Sequence, residues 1–232
     1  MSRGVPRRTP ALRPPPGFTR GEQRLLASLR TPLLVERWLR RLPYNYEKGG
    51  ETLRTFRRVV RDQTAHCLEA ALFAAAVLEA HGHPPLLMSL ESADNLDHVI
   101  CVYRKGGRWG AIGRSRDPGL HGRWPVFASP RALALSYMDP FVDKTGRLLG
   151  WAVADLRELG RYDWRFAERN AWKVEQWLID YEHHKVHMPD RRYHEWHERY
   201  LRYISRYDGR KPVYYENRED WVDSGNVRPP SG

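Results

Sequence analysis

The segment Cys67-Leu68-Glu69-Ala70-Ala71-Leu72-Phe73-Ala74-Ala75-Ala76-Val77-Leu78-Glu79-Ala80 constrains this chain more than any other. Gly82 stands just past its end and Pro84-Pro85 follow, a pattern that stops a helix. Thr64 is the expected N-cap, which makes Cys67 the third helical residue. The many alanines let neighbouring backbones approach closely. The longest apolar run inside it, Ala70 to Leu78, is bounded by Glu69 and Glu79. A bilayer crossing needs roughly 20 apolar residues, so no membrane-spanning helix is expected. With 41% hydrophobic residues among 232, the chain can build a real core.

After Pro85 the hydrophobic period changes from helical to alternating. Leu86–Leu90, His98–Arg104 and Trp109–Gly113 read as strands, the last two joined by a Gly106-Gly107 turn. Before the central helix, Thr31-Pro32 opens a helix to about Leu42, with Leu34, Trp38 and Leu42 on one face. Residues 51–60 form another, with Leu53, Phe56 and Val60 inward. Residues 22–30 and 130–138 suit short helices. Two aromatic-rich helical patterns, 164–184 and 190–206, are split by Pro189. This order is an α+β fold. The expected divisions are a basic Pro/Arg-rich tail at 1–20, an α+β core at 21–150, a helical extension packed on it at 151–206, and an irregular tail at 207–232.

Charge is unevenly distributed. Residues 1–61 hold 15 Lys/Arg and 4 Asp/Glu, whereas residues 62–232 hold 24 of each. A basic N-terminal quarter could contact phosphates. Yet only 6 of the 39 basic residues are Lys, and no nucleic-acid-binding motif follows. General Arg-rich coding explains the surplus better than a nucleic-acid partner does. The N-terminus lacks the apolar region of a secretory signal, and two cysteines make no disulfide framework. A cytoplasmic location is expected.

Cys67 is the chemically interesting cysteine. A thiolate in the first turn of a helix feels unpaired backbone N–H groups and the positive end of the dipole. Both lower a thiol pKa, and the thiolate is the nucleophile. His98 opens the second strand and can reach such a helix start to activate the thiol. Cys101, three residues on, falls on the opposite strand face and reads as packing.

Residues 44–118 resemble the core of the transglutaminase-like superfamily, relatives of the papain-like cysteine proteases. The resemblance rests on Tyr44-Asn45-Tyr46, on Cys67-Leu68-Glu69-Ala70-Ala71-Leu72-Phe73-Ala74-Ala75-Ala76 and on His81-Gly82-His83-Pro84. It continues through His98-Val99-Ile100-Cys101-Val102-Tyr103, Gly106-Gly107-Arg108-Trp109 and Asp117-Pro118. It covers about a third of the chain. It implies a nucleophile-bearing helix packed on an antiparallel sheet, with the C-terminal helices added. It also implies a Cys67–His98–Asp117 triad acting on an amide or peptide by hydrolysis or acyl transfer, with a peptide or protein as substrate. The backbone N–H of Cys67 would contribute to an oxyanion hole, with Gln63 as second donor. Two departures stand out. The family's usual Asp position holds Gly113, and Ile100 replaces an aromatic residue. The same fold used only to bind a protein partner is the alternative.

No other constellation points to a cofactor. His183, His184, His187, His194 and His197 include an i, i+4 pair of zinc spacing, but Pro189 interrupts the helix and no Cys joins them. They read as a solvated helix. Trp164, Trp172, Trp177 and Trp196 read as packing faces rather than base-stacking platforms. Phosphate loop, dinucleotide fingerprint and serine elbow are absent.

Overall fold

The computed structural model describes residues 16–205. The expected basic tail is therefore described only from residue 16, and the C-terminal tail at 207–232 lies outside the described residues. Four helices come first: α1 (Arg20–Ser28), α2 (Pro32–Arg41), α3 (Phe56–Asp62) and α4 (Cys67–Ala80). Three strands follow, β1 (Leu86–Ser92), β2 (His98–Lys105) and β3 (Arg108–Ile112). Then come β4 (Arg123–Phe127), α5 (Pro130–Leu135), β5 (Leu148–Asp155), α6 (Trp172–Ile179), β6 (His184–Lys185) and α7 (Asp190–Ser205). The six strands make one antiparallel sheet in the order β4-β3-β2-β1-β5-β6. The class is α+β, as the sequence order implied.

Helix α4 is apolar on every side because it is buried on every side. From Leu68 to Ala80 all of its side chains are buried except Glu79. Its alanines admit α2, α3 and β2 closely. Phe73 is held between Trp38, with ring centroids 4.3 Å apart, and Phe56, at 5.2 Å, in a nearly parallel stack. Gly82, at φ +84°, ends the helix, with its N–H donating to Glu79 and that of His83 donating to Leu78.

The N-terminus departs from expectation. The cap is His66, not Thr64, so Cys67 is the first helical residue. Glu69 explains the shift, because its carboxylate accepts the His66 N–H at 3.0 Å and closes the helix one turn ahead of itself. The Thr64 hydroxyl donates instead to Pro43 O.

The sheet divides the interior. Val99, Cys101 and Tyr103 face α4 and the N-terminal helices. Ile100 and Val102 face the other way, into a second core with Tyr137, Phe141, Trp151 and Met188. On α2 the buried positions are Val35, Glu36 and Leu39, the C-cap Leu42 is buried too, and Leu34 is exposed. In the segment around α3, Val59 is buried and Val60 only packs against the core.

Three strands were not legible. β4 is short, and β6 has two residues. β5 pairs with β1 along its whole length and crosses the boundary expected at residue 150. Nor is 164–184 one helix. Only Trp172–Ile179 is helical, and Val174 and Leu178 join the core on α4's side of the sheet. Helix α7 has its N-terminal half, with Tyr193 and Trp196, against the opposite core.

Phe73→Ala removes the middle ring of the stack in a fully buried site. It is expected to destabilise the protein by about 3–5 kcal/mol, read as a lowered denaturant midpoint at unchanged slope.

Candidate active site

Cys67 lies partly accessible at the N-terminus of α4, with an imidazole on either side. His66 and His98 are the groups whose hydrogen bonding and positive charge act on its sulfur. The His98 Nε2 lies 2.7 Å from Leu120 O. A carbonyl only accepts, so Nε2 carries the proton and Nδ1 is left for the sulfur. The His66 Nε2 lies 2.9 Å from Thr52 O, which fixes its tautomer in the same way. In both rings Nδ1 is thus the nitrogen that no backbone carbonyl engages.

The electrostatics follow from this packing. Burial raises the Cys67 pKa, but hydrogen bonds and positive charge from His66 and His98 outweigh it and hold the thiol well below its usual range. Burial alone lowers the His66 pKa, yet the Cys67 thiolate and the Glu69 carboxylate carry it up to about 9. The two shifts run in opposite directions and favour a Cys67 thiolate beside a protonated His66. Cys101 is the contrast. It is fully buried without such partners, and burial pushes its thiol up.

Glu69 anchors the wall beside the thiol. It is fully buried, and its two oxygens accept from Asn45 Nδ2, Thr52 Oγ1, Arg54 N, Arg54 Nη1 and His66 N at 2.8–3.3 Å. These bonds tie segment 45–54 to α4. His66, reached through Thr52 O, is held in place by the same network.

The opposite wall is the loop from Gly113 to Gly122. The buried Glu36 carboxylate of α2 accepts the N–H of Gly113 at 3.0 Å and of Gly122 at 3.4 Å, fastening both ends. Buried Arg123 donates to the carbonyls of Gly119 and His121 and to Ser136, and lies 3.8 Å from the Tyr137 ring centre. A Cβ at Gly113 would come within 2.8 Å of Ile100 Cγ2, so that position has no room for a side chain. Asp117 sits farther along this loop, 4% exposed. Its Oδ1 accepts Gly119 N and its carbonyl accepts Leu120 N, closing the single turn that presents Leu120 O to His98.

Cys67, His98 and Asp117 thus border one cleft of about 120 Å³, shared with Leu120. Cys67 and His66 border a second, of about 440 Å³. Gln63 does not join them. It caps α3 in a left-handed conformation (φ +52°), it is exposed, and its amide donates to Val60 O. It is not placed to serve as an oxyanion donor.

Sequence reasoning missed His66. Adjacency to Cys67 was visible, but its part depended on the helix starting at 67 rather than 65. Leu120 was also missed, because a backbone carbonyl leaves no residue-type signal. The C-terminal histidines do not converge. His184 packs on Trp151 and His197 on Tyr193. Among the described residues no group of His, Cys, Asp and Glu could hold a metal ion, and no helix is long and apolar enough to cross a membrane.

No protein-family model matches this chain, and no curated protein sequence does. Among solved structures it is similar to LapG of Legionella pneumophila, at 13% identity and a TM-score of 0.36. That likeness covers 66% of this chain and 80% of the other, and it is a distant one.

Alkylation of Cys67 by iodoacetamide should reach half its limiting rate well below pH 8.5, the value for a free cysteine. Rate follows thiolate fraction, and both His66 and His98 act to lower the Cys67 pKa. His66→Ala and His98→Ala should each move that midpoint upward, read site by site by peptide mass spectrometry. Glu69→Ala leaves Arg54 and His66 without their buried counter-charge. It should cost on the order of 3–5 kcal/mol of stability in chemical denaturation.

Proposed function

We propose that this protein is a cysteine enzyme of transglutaminase-like type, acting on an amide or peptide through a thioester on Cys67. One observation carries the reading. A helix-start thiol is held well below its usual pKa by two imidazoles, and a backbone carbonyl engages the Nε2 of each. A structural cysteine has no use for that arrangement, as Cys101 illustrates.

The chemistry runs as follows. The Cys67 thiolate attacks the substrate carbonyl carbon, and the C=O electron pair moves to oxygen. The backbone N–H of Cys67, at the first helical position and without an intrahelical acceptor, faces that developing charge. The tetrahedral intermediate collapses as the C–N bond breaks, and the imidazolium of His98 delivers its Nδ1 proton to the leaving nitrogen. Now neutral, the same Nδ1 takes a proton from an incoming water or amine, which attacks the thioester and releases Cys67.

In this scheme His98 is the base and acid, and Leu120 O orients it. Asp117 is a positioning residue, which closes the turn that aims that carbonyl. His66 stabilises the resting thiolate and sits too far along the charged side of the equilibrium, near 9, to be the better base at neutral pH.

The test is a proteome-derived peptide library incubated with protein and read by mass spectrometry for new termini, glutamine deamidation or cross-links. Wild type is expected to form products that Cys67→Ala does not, and His98→Ala should lose at least about 10³-fold in rate. Hydroxylamine should release the trapped acyl group from Cys67. Equal product formation by wild type and Cys67→Ala overturns the reading.

A further inference from the structure

Two clefts meet at Cys67. The larger, about 440 Å³, and the smaller, about 120 Å³, share Tyr44, Cys67, Leu96, Asp97 and Arg116 as lining. A chain laid across the thiol would extend into both. The lining is unlike the rest of the surface in two independent ways.

The first is charge. The two clefts are lined by seven carboxylates, and Arg116 is their only Lys or Arg. The protein as a whole carries a net charge of +11. Elsewhere carboxylates meet arginines: Glu22 with Arg57, Glu79 with Arg165, Asp139 with Arg192. In the larger cleft, Glu51 and Glu175 form no ion pair with any described Lys or Arg, and Glu47 comes only within 3.9 Å of His66 Nε2. These groups repel one another. Burial raises the Glu175 pKa, and the charges of Glu51, Glu47 and Cys67 add to the rise against the pull of His66. A cation seated among them would relieve the repulsion.

The second is apolar exposure. Among the described residues eight large hydrophobic side chains are exposed, and four of them line the larger cleft: Tyr46, Leu96, Trp172 and Ile179. All four come from loops or α6 rather than from the central scaffold. A half-apolar, half-acidic trough beside a nucleophile fits one kind of chain.

We propose, resting on the reading of Cys67 as an acyl-transfer nucleophile, that the substrate is an extended peptide carrying Lys or Arg among apolar residues. The cationic side chain sits against Glu51 and Glu175, and its apolar neighbours lie on Leu96, Trp172 and Ile179. Arg116 lines both clefts at their junction, and the four carboxylates of the larger cleft outnumber it.

Peptidyl chloromethyl ketones test this without knowledge of the natural substrate. The Cys67 thiolate displaces chloride, so a C–S bond forms as the C–Cl bond breaks, and intact mass reports the rate. Three reagents are compared: acetyl-Leu-Lys, acetyl-Leu-norleucine and acetyl-Leu-Glu chloromethyl ketone, with iodoacetamide as a small uncharged reference. The Lys reagent is expected to react at least about tenfold faster than the Glu reagent at low ionic strength. That lead should shrink below about threefold in Glu51→Gln/Glu175→Gln and at about 1 M salt. Fast iodoacetamide alkylation with equal rates for the three peptides, or with the Glu reagent leading, overturns the proposal and leaves the nucleophile intact. A lead that survives both the double variant and salt also overturns it. Slow iodoacetamide alkylation, no faster than a free cysteine's, overturns the nucleophile reading and this inference with it.

Discussion

The buried carboxylate of Glu69 is the interaction on which the site depends. A charge removed from water is tolerated only when its oxygens are filled, and here an arginine, a hydroxyl, an amide and two backbone N–H groups fill them. Those donors come from segment 45–54 and from the residue before α4. Satisfying one carboxylate therefore sets the helix start at Cys67, pins one cleft wall, and places Thr52 O to orient His66. Burial raises the pKa of Glu69, and the positive charge of His66 followed by these hydrogen bonds brings it below its usual value. The carboxylate stays ionised, and its charge in turn helps keep His66 protonated.

Glu36 plays the corresponding part on the other side. Both ends of the Gly113–Gly122 loop donate to it, and Arg123 gathers the loop's carbonyls from within. Two buried carboxylates on two helices thus hold two loops that face each other across a thiol. Neither loop has enough apolar surface to fix itself, so hydrogen bonding to buried charge does it. The Leu120 carbonyl that orients His98 exists only as a product of this loop geometry.

Several features were legible residue by residue. The apolar run of α4, its glycine stop and the alternation in β1 to β3 follow from short-range rules, and the structure has them within a residue or two. The separation of His98 from Cys101 onto opposite faces follows from the period of a strand. Less local features were not legible. β5 alternates weakly in sequence but joins the sheet between β1 and β6 because β1 offers it a free edge. Residues 164–171 have helical composition, but Ala171 N donates to Leu53 O and Asn170 accepts from Leu53 N, and these long-range bonds hold the backbone out of a helix. The cap moved from Thr64 to His66 because Glu69 is buried, and burial is not a local property.

What the sequence by itself determined is the class of the fold, since periodicity and stop signals are read locally along the chain; residue type singled out Cys67 and His98 as candidates. What only the tertiary structure decided is the second imidazole, the carbonyl that orients the first, and the acidic sign of the cleft on a basic protein. Each of these depends on which distant segments share one buried carboxylate or one surface, and a net charge counted along the chain carries no record of where the charges meet.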